Sequence, residues 1–585
     1  MSHFVKKVPT TEEEKAAIEA EKAKKLMLLQ GLTSRIDEKI AAKQFDVDFF
    51  RDTAIVLSKN ANIQSLWNAR RDALLVILKQ KEDESKEDWE VRVQNRCNDE
   101  LCLAYNALAK DPKSYCAWFH RFWAFEQHPK RDVQGEIDNC DKALIADRRN
   151  FHAWDHLRSV AKLANLGSEK AVEFSKKRLN EDITNYSAYH YRATELPNVK
   201  PDPEGIMEIS LEALQEEIEL VSGCAATDSL DQSAWVYARW LLDQASTKPS
   251  KEIVLLTATP KAIVFSRPVA VSNFHKYVTI PETASFAPAT ETMLGHPKYQ
   301  VACNWSISGV EEYKTLSGKV VNAKKRYLDK EAIKNCFAES SIYKSHVDAG
   351  NGAVSDALIN FEKECDALAN LDERNRPEAF WPMYYQSVCL LKQGKSLESY
   401  DVIMANYKQM AALDPQRKNV YKSKASALAI RKALLMDKHA VDTGKTQLEA
   451  LLDGRDDLKL RNYEITDISI LKPLGGLIAD VDLSYGGITD MKQFQMLPLL
   501  DRLCLDDNPT EKIPLVRLPN LTFLSLARTK IQSVEDMKGV EGFKKLERLL
   551  VCETKLVEAA QEFRNFTTGL REDGEEPIRV FIHYL

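Results

Sequence analysis

The sequence predicts a multidomain, mainly α-helical protein. In it, an α–α superhelix of helical hairpins carries an inserted β-sandwich and ends in leucine-rich repeats. Three patterns lead to this prediction. Within the first 245 residues an aromatic residue recurs at intervals of 51, 36, 35 and 46 residues, and about 35 residues is the length of one helical hairpin. Short β-type segments separated by Pro, Ser and Asn fill the stretch that follows. A leucine pattern with a period of 21 to 25 residues occurs near the C-terminus.

Five aromatic residues mark the centres of the helical repeats: Trp67, Trp118, Trp154, Tyr189 and Trp235. An alanine precedes the aromatic residue in four units, a His or Tyr follows it by two residues in four units, and an Arg follows by three or four residues in all five. Four residues before the centre, four units carry a good helix N-cap, namely Ser114, Asn150, Asn185 and Asp231. All these positions fall within two turns of one helix, so the repeated helices should share one face and pack around the central aromatic residue.

Composition excludes several classes of protein. The chain has 585 residues, a net charge of −6 and 29% charged residues, so nothing indicates nucleic-acid binding. No apolar run approaches the length of a membrane span, and the Lys- and Glu-rich N-terminus lacks a signal core. The 11 cysteines are scattered without a CxxC pair, which is typical of reduced thiols in the cytosol. We therefore expect a cytoplasmic protein without a transmembrane segment.

The N-terminal part of the chain is predicted as follows. Residues 11–14 (Thr-Glu-Glu-Glu) predict a capping box that opens a charged helix running towards Gln44. Residues 46–58 are expected to form the first helix of the first hairpin. This N-terminal helix and the helical repeats together make up residues 1–245. Residues 246–348 are predicted to form the inserted β-sandwich, of immunoglobulin-like type.

Helical periodicity returns in residues 349–445, where Trp381 and Tyr421 mark two less regular units. The stretch Met436–Lys445 is predicted to be a flexible connection. Residues 446–585 then carry the leucine-rich repeats.

The clearest leucine-rich copy is Leu500-x-x-Leu503-x-Leu505-x-x-Asn508. The other copies of this pattern in the chain have an apolar residue at the position equivalent to Leu505. These equivalent positions are separated by 22, 21 and 25 residues. A short leucine-rich horseshoe requires this spacing, and such surfaces usually bind proteins.

The helical units also carry a more specific pattern, in which an aromatic pair is followed by His or Tyr and then Arg. The units Tyr115–Arg121, Phe151–Arg158, Tyr186–Arg192 and Gln232–Arg239 resemble the α-subunit repeats of protein prenyltransferases. Within that family, the order of domains in this chain, with a β-insert and a C-terminal leucine-rich domain, resembles that of the Rab geranylgeranyltransferase α subunits of animals. The resemblance covers nearly the whole chain. Tyr189 in place of Trp, Leu157 in place of Arg and Gln232 in place of an aromatic residue depart from the family pattern in a way typical of drift in a packing motif.

The resemblance implies a function for the chain as one half of a heterodimer. Its solenoid would wrap around a prenyltransferase β subunit, an α/α barrel that holds the catalytic zinc and the isoprenoid pocket. The enzyme would transfer geranylgeranyl from its diphosphate to C-terminal cysteines of Rab GTPases, presented by a Rab escort protein. This chain would thus be a prenyltransferase subunit that is active only in complex with the zinc-containing β subunit.

The resemblance also indicates which residues carry that function. Lys113 and Tyr115 match the family positions that line the diphosphate pocket, and Lys113 directly precedes a helix N-terminus, where a cation and free N–H groups attract anions. The alternative for Lys113 is a solvated lysine. A further set is expected either at the β-subunit interface or in packing: Trp118, His120, Arg121, Trp154, His156, Arg158, Tyr189, Arg192, Trp235 and Arg239.

No metal site is predicted in this chain. His152 and His156 are one turn apart on a helix, but no third ligand has a convincing spacing, so packing or an interface role is favoured for His156. The resemblance leaves open whether His3 reaches the partner's zinc or belongs to a tail without a role.

Two other functions remain as alternatives. One is a non-enzymatic scaffold of helical, tetratricopeptide-like repeats and leucine-rich repeats. The other is the shared subunit of farnesyl-type enzymes, which the additional domains disfavour.

Overall fold

The chain divides into two compact units, Met1–Ser210 and Leu211–Leu585. It is mainly helical, with repeated helical hairpins and β-sheets, as the sequence predicts. Among the described helices, none is both long and apolar enough to cross a membrane. The computed structural model describes residues 12–244, 252–289, 301–338, 352–570 and 577–582, with the exception of residues 204, 206, 372 and 443.

The first unit consists of antiparallel helices that pack in consecutive pairs. The second helices of successive hairpins also pack against one another, α3 against α5 and α5 against α7. Helix α1 ends at Ala41, short of Gln44, and Thr11 of the predicted capping box lies outside the described residues. The helices are α1 (Glu12–Ala41), α2 (Val47–Leu57), α3 (Gln64–Ile77), α4 (Lys86–Lys110), α5 (Tyr115–Gln127), α6 (Val133–Ala146), α7 (Phe151–Leu163), α8 (Ser168–Glu181) and α9 (Tyr186–Val199).

The predicted helix caps form. The side chains of Ser114, Asn150 and Asn185 accept hydrogen bonds from backbone N–H groups in the first turns of α5, α7 and α9. Ile63, at the equivalent position before α3, makes no such bond because its side chain has no acceptor. Each cap satisfies an N–H group that the helix leaves unpaired and so determines where the helix begins.

The tryptophans at the repeat centres are buried, and each also makes a hydrogen bond. In every case the indole N–H donates to the backbone carbonyl six residues upstream. The distances are 2.8 Å for Trp67, 2.8 Å for Trp118, 3.1 Å for Trp154 and, in the second unit, 3.1 Å for Trp235. A buried indole N–H needs such an acceptor, so the tryptophan fastens the loop that precedes its own helix.

Two of these carbonyls also accept a hydrogen bond from the next repeat. The Ser114 hydroxyl donates to the Ala61 carbonyl at 2.9 Å, and the Asn150 amide donates to the Pro112 carbonyl at 3.0 Å. The cap of one hairpin is therefore tied to the loop of the hairpin before it.

A buried carboxylate joins the first hairpin to the second. Glu100 on α4 accepts two hydrogen bonds from Arg70 on α3, at 2.9 and 2.6 Å, and lies 3.0 Å from Nε2 of His120 on α5. Burial by itself raises the pKa of Glu100, but the hydrogen bonds and charges of His120 and Arg70 together outweigh burial and lower the pKa to about 2. The carboxylate is therefore ionised and paired at neutral pH.

The next hairpin repeats this arrangement. Glu136 on α6 accepts from Nε of Arg121 on α5 at 2.9 Å and lies 2.8 Å from Nε2 of His156 on α7. Burial opposes ionisation here as well, yet the hydrogen bond of His156 and the charge of Arg121 hold the pKa of Glu136 below its usual value. One arginine from the preceding hairpin and one histidine from the same hairpin thus enclose each glutamate.

The second unit begins with a helical hairpin and returns to helices after a β region. Helix α10 packs against α13, and α11 packs against α14, so hairpins from both sides of the β region are neighbours in this unit. The helices of these hairpins are α10 (Leu211–Thr227), α11 (Gln232–Gln244), α13 (Gly352–Leu371), α14 (Phe380–Lys392), α15 (Tyr400–Leu413) and α16 (Lys418–Leu435), and a short helix, α12 (Lys330–Phe337), lies in the β region.

The β region contains two antiparallel sheets, with strand orders β4-β5-β2-β1-β8 and β3-β6-β7. Side chains of both sheets, including Trp305 and Tyr313, share one hydrophobic core. Helix α12 is not predicted by the sequence pattern, although Asp329 caps it. The strands are β1 (Leu255–Ala258), β2 (Ala262–Ala270), β3 (Val278–Thr279), β4 (Ser285–Pro288), β5 (Val301–Ser308), β6 (Glu312–Thr315), β7 (Val320–Asn322) and β8 (Tyr327–Leu328).

Six short parallel strands form the last sheet, and each pairs in register with the strand before it. The middle residue of each of the first five strands is buried, and each of those strands is followed by a residue with φ between 54° and 65°, which makes the same turn in every repeat. The strands are β9 (Asp457–Lys459), β10 (Asp480–Asp482), β11 (Arg502–Cys504), β12 (Phe523–Ser525), β13 (Arg548–Leu550) and β14 (Arg579–Phe581).

One hydrophobic core connects the parallel sheet with two neighbouring regions. It includes Leu503 of the sheet, Ile430 and Leu434 of α16, and Val264 and Phe337 of the β region. The β region is also hydrogen-bonded to the loops of the parallel sheet, because the amide of Asn304 donates to the carbonyls of Lys472 and Met496 at 2.9 and 2.6 Å. These parts of the second unit therefore depend on each other for burial.

The prediction of a flexible connection at Met436–Lys445 is wrong. Within this stretch His439 is buried, and its Nε2 lies 3.0 Å from a carboxylate oxygen of Asp457 in β9. Lys438 and Thr446 form a β-bridge that closes the stretch into a turn. Apolar residues on both sides of it belong to the shared core, which is why the chain is held here.

The division into compact units does not coincide with the predicted end of the first domain at residue 245. The α10–α11 hairpin belongs to the second unit, in which it packs against the helices that follow the β region. The predicted boundaries at residues 245, 348 and 445 stay predictions.

Glu100→Gln should destabilise the first unit by about 3–5 kcal/mol, because it leaves the buried Arg70 guanidinium without its counter-charge. Since the folded-state pKa of Glu100 is depressed, its stabilisation is present at neutral pH and is lost as pH falls from about 5 towards 2. Thermal and urea unfolding at pH 7 and pH 3 measure both effects. The difference between wild type and variant should shrink at pH 3.

Asp99→Asn is the matched control, because Asp99 adjoins Glu100 but is exposed and lies 3.7 Å from Arg96. An exposed ion pair of this kind contributes little to stability, so the free energy of unfolding of the control should be close to that of the wild type. Equal stability of Glu100→Gln and Asp99→Asn would contradict the assigned role of the buried carboxylate.

Candidate functional site

The loop between α4 and α5 carries Lys113 and is held from two sides. The Pro112 carbonyl accepts hydrogen bonds from the indole N–H of Trp118 and from the amide of Asn150. Ser114 both caps α5 and donates to the first hairpin. With its neighbours on either side bonded, the backbone of Lys113 has a defined position at the N-terminus of α5.

The Lys113 side chain is 68% exposed, and its ammonium lies 3.1 Å from Oδ2 of Asp147. The other oxygen of Asp147 accepts from the Arg149 backbone N–H at 3.1 Å, which orients the carboxylate towards the lysine. Burial of Asp147 raises its pKa, but the hydrogen bond from Lys113 and that from Arg149 outweigh burial and lower it. An exposed ammonium beside a helix N-terminus is available to an anionic ligand that reaches it from solvent.

Tyr115 is the first residue of α5 and is 68% exposed. Its ring contacts the rings of Phe151 and His152, with centroid distances of 5.8 and 4.2 Å. Phe151 and Tyr186 begin α7 and α9 and are also exposed, by 49% and 47%. The first residue of three successive repeated helices is therefore an exposed aromatic residue, whereas the fourth is a buried one.

Most of the residues predicted at an interface or in packing are buried within the chain. Their side chains already contact neighbouring helices, so packing is the role that their positions support. Arg158 and Arg239 are the exceptions: Arg158 pairs with Asp155 at 2.8 Å and lies over the ring of Tyr191, and Arg239 is 3.9 Å from Asp243 at the surface. The buried members are Trp118, His120, Arg121, Trp154, His156, Tyr189, Arg192 and Trp235.

The two histidines of α7 contact different partners. His156 binds Glu136, and His152 packs against the aromatic rings of Phe151 and Tyr115. In the part of the chain that the structure describes, no group of three or more His, Cys, Asp or Glu side chains is placed to hold a metal ion. His3 lies outside the described residues.

Sequence reasoning missed four acidic residues that organise the repeats and the site. Glu100, Glu136 and Glu217 each precede the central aromatic residue of their unit by 18 residues, and Glu217 accepts a hydrogen bond from Tyr237 at 2.8 Å. This constant spacing is a signal in the sequence. It becomes visible when the repeats are aligned on the helix that precedes the central aromatic residue. Asp147, the partner of Lys113, carries no such signal because their pairing depends on the packing of α5 beside α7.

Comparison with known families identifies the helical repeats. The model of the protein prenyltransferase alpha subunit repeat matches residues 97–128, 133–163 and 214–245. The first two matches include most or all of the α4–α5 and α6–α7 hairpins, and the third includes most of the α10–α11 hairpin. Lys113 and Asp147 both lie in matched segments.

Curated relatives align along almost the whole chain. The geranylgeranyl transferase type-2 subunit alpha of Sus scrofa is 27% identical over 565 residues, which cover 95% of this chain and 92% of the relative. The Homo sapiens protein of the same name is 26% identical over 584 residues with the same two coverages. The Dictyostelium discoideum protein of that name is 31% identical over 257 residues, covering 43% of this chain and 78% of the relative. These comparisons give no support to the alternative of a non-enzymatic scaffold.

Asn150→Asp should separate the two tasks of this buried cap residue. Aspartate still accepts the N–H bonds at the start of α7, but it cannot donate to the Pro112 carbonyl and faces it with an acceptor. We expect a loss of about 1–3 kcal/mol in the free energy of unfolding, measured by urea denaturation.

The control exchanges the same side chains at an exposed cap. Asp132 caps α6 through the Gly135 N–H at 2.9 Å, so Asp132→Asn should change stability by less than about 0.5 kcal/mol. Wild-type stability of Asn150→Asp would show that the bond to Pro112 does not hold the loop.

Proposed function

The chain belongs to the protein prenyltransferase alpha-subunit family, and from this membership we propose that it is the α subunit of a Rab geranylgeranyltransferase. In this role it would help transfer geranylgeranyl from geranylgeranyl diphosphate to C-terminal cysteines of Rab GTPases, which a Rab escort protein presents. The observation that carries the proposal is the exposed ammonium of Lys113 at the N-terminus of α5, within a segment that matches the family repeat.

The chemistry of prenyl transfer needs such a group. Negative charge accumulates on the diphosphate as the bond to the isoprenoid carbon breaks, and a fixed cation stabilises that charge. Lys113 supplies a positive charge. Its backbone is fixed because the neighbouring residues Pro112 and Ser114 are both hydrogen-bonded. Asp147 restrains the ammonium, and a diphosphate would compete with this single carboxylate for it. Tyr115, exposed at the start of α5 two residues after Lys113, is the second proposed contact.

A partner subunit is part of the proposal. The exposed aromatic residues Tyr115, Phe151 and Tyr186 begin three neighbouring helices, and aromatic side chains of this kind are typical of interface cores. We propose that they contact a prenyltransferase β subunit. Zinc, which would favour the thiolate form of the substrate cysteine, would be bound by that subunit rather than by this chain.

The remaining assignments belong to the same proposal. The two sheets between β1 and β8 would form an immunoglobulin-like sandwich, and the parallel sheet β9–β14 would form a leucine-rich repeat domain. A cytoplasmic location is supported by the 11 free cysteines.

Lys113→Ala should slow lipid transfer by about ten- to a hundred-fold in the reconstituted heterodimer, because it removes a charge-assisted contact worth roughly 1.5–3 kcal/mol. Thermal stability and heterodimer formation should remain near wild type, since Ser114 still caps α5. Lys113→Arg should recover part of the rate because it keeps the charge with a different geometry. Single-turnover kinetics provide the measurement.

Lys130→Ala is the matched control, as Lys130 is an exposed lysine beyond the other end of α5. It should transfer the lipid at the wild-type rate. A wild-type rate for Lys113→Ala as well would identify Lys113 as a solvated lysine and remove the basis of the site assignment.

The double variant Phe151→Ala and Tyr186→Ala should weaken β-subunit binding more than ten-fold, because each ring buries apolar area worth roughly 1.5–3 kcal/mol. Binding is measured by surface plasmon resonance with the purified β subunit. Val91→Ala with Ile145→Ala is the control, since these residues are 55% and 65% exposed on the first helices of their hairpins. Equal affinities for the two double variants would place the β subunit on another surface.

A further inference from the structure

The outward face of the parallel sheet carries charge that changes sign from one end to the other. The middle residue of each of the first five strands is buried in the core, and that of β14, Val580, is partly buried against it, so by alternation the residues on either side face outward. The register aligns the first outward positions in one row: Asp457, Asp480, Arg502, Phe523, Arg548 and Arg579. The row is therefore acidic at its first two positions and basic at its last two.

The last two strands form a compact patch. Arg548 pairs in register with Arg579, and two residues further along the same strands Leu550 pairs with Phe581. Both arginines are exposed, and Phe581 is 42% exposed. Neighbouring strands lie about 4.8 Å apart, so two guanidinium groups stand directly beside two apolar side chains.

One of these arginines lies over an aromatic ring of the neighbouring strand. The ring of Phe523 lies between Arg502 and Arg548, with guanidinium carbons 4.3 and 5.4 Å from its centroid. Arg502 also donates to Asp480 at 3.2 Å, which neutralises it. A guanidinium that stacks with its flat face keeps its N–H donors at the edge, where they can bind a carboxylate in a bidentate manner.

The charge of the patch is not balanced within the sheet. Among the described residues, neither Arg548 nor Arg579 has a carboxylate within ion-pair distance. Glu547 precedes Arg548 on the chain and is exposed, but it forms no ion pair with it. Within the described part of the chain, two cations without an ion-pair partner thus lie beside the half-buried Leu550 and the exposed Phe581.

We propose that the outward face of β13 and β14 is a docking surface for an acidic segment of a partner protein, in which carboxylates alternate with apolar side chains. The arginines select the carboxylates, and Leu550 and Phe581 bury the apolar side chains between them. This proposal does not depend on the transferase assignment.

The test measures binding of a fluorescein-labelled decapeptide of alternating glutamate and leucine to the full chain by fluorescence anisotropy. Saturable binding that weakens with added salt is expected, because carboxylate–guanidinium contacts are screened. Decapeptides of alternating glutamine and leucine, and of alternating lysine and leucine, should bind at least ten-fold more weakly. Equal binding of the glutamine peptide would overturn the proposal.

Variants locate the site. Arg548→Glu with Arg579→Glu should weaken binding of the glutamate–leucine peptide at least ten-fold, and Phe581→Ala should weaken its binding several-fold. Lys512→Glu with Lys530→Glu makes the same charge change at two exposed lysines of this region and should leave binding unchanged. Thermal unfolding confirms that each variant is folded, and Arg548→Gln provides a milder change if the double reversal unfolds the edge strand.

Three results would reject the assigned surface or its occupant. The first is equal weakening by the arginine and lysine double variants, which would indicate a general charge effect. The second is the absence of any saturable binding by the wild-type chain. The third is tighter, arginine-dependent binding of a DNA oligonucleotide or of anionic phosphatidylserine vesicles, which would make the ligand a polyanion without apolar recognition.

Discussion

The buried ion pairs between hairpins are the interaction on which the first unit depends. Glu100 and Glu136 are each enclosed by an arginine from the preceding hairpin and a histidine from their own. A charge in a helical interior is tolerated only when its partners are in place, so neighbouring hairpins must adopt one relative position. That position in turn determines where the N-termini of α5 and α7 lie, and with them the loop that carries Lys113.

A second set of contacts positions the loops at the surface of these packed hairpins. Each central tryptophan donates to the carbonyl six residues upstream, and the cap residues Ser114 and Asn150 donate to the same carbonyls from the next hairpin. The loops before the repeated helices are therefore bonded from both sides. The fourth residue of each helix is buried, whereas the first lies at the end of the helix and is exposed, so a row of exposed aromatic residues results. The family repeat thus serves both the core and the surface proposed for a partner.

The second unit follows a different principle, in which several regions share one apolar core. Residues of α16, of the β region and of the parallel sheet bury each other, and Asn304 links the β region to loops of the sheet. The parallel sheet is accordingly not an independent appendage joined by a flexible connection. Its outward face lies outside this core, and the row of first outward positions is acidic at one end and basic at the other.

Periodicity determined much of this protein from the sequence alone. The spacing of Trp67, Trp118 and Trp154 located the helical hairpins, Ser114 and Asn150 located the helix starts, and the leucine pattern located the parallel strands, because each of these features depends on neighbours close in the chain. The same residues also carried the family resemblance and singled out Lys113. Only the tertiary structure decided which residues pair across hairpins, namely Glu100 with Arg70 and Asp147 with Lys113, and that Met436–Lys445 is held. Such contacts join residues far apart in the chain, and their formation depends on how whole helices and sheets pack, which no local pattern specifies.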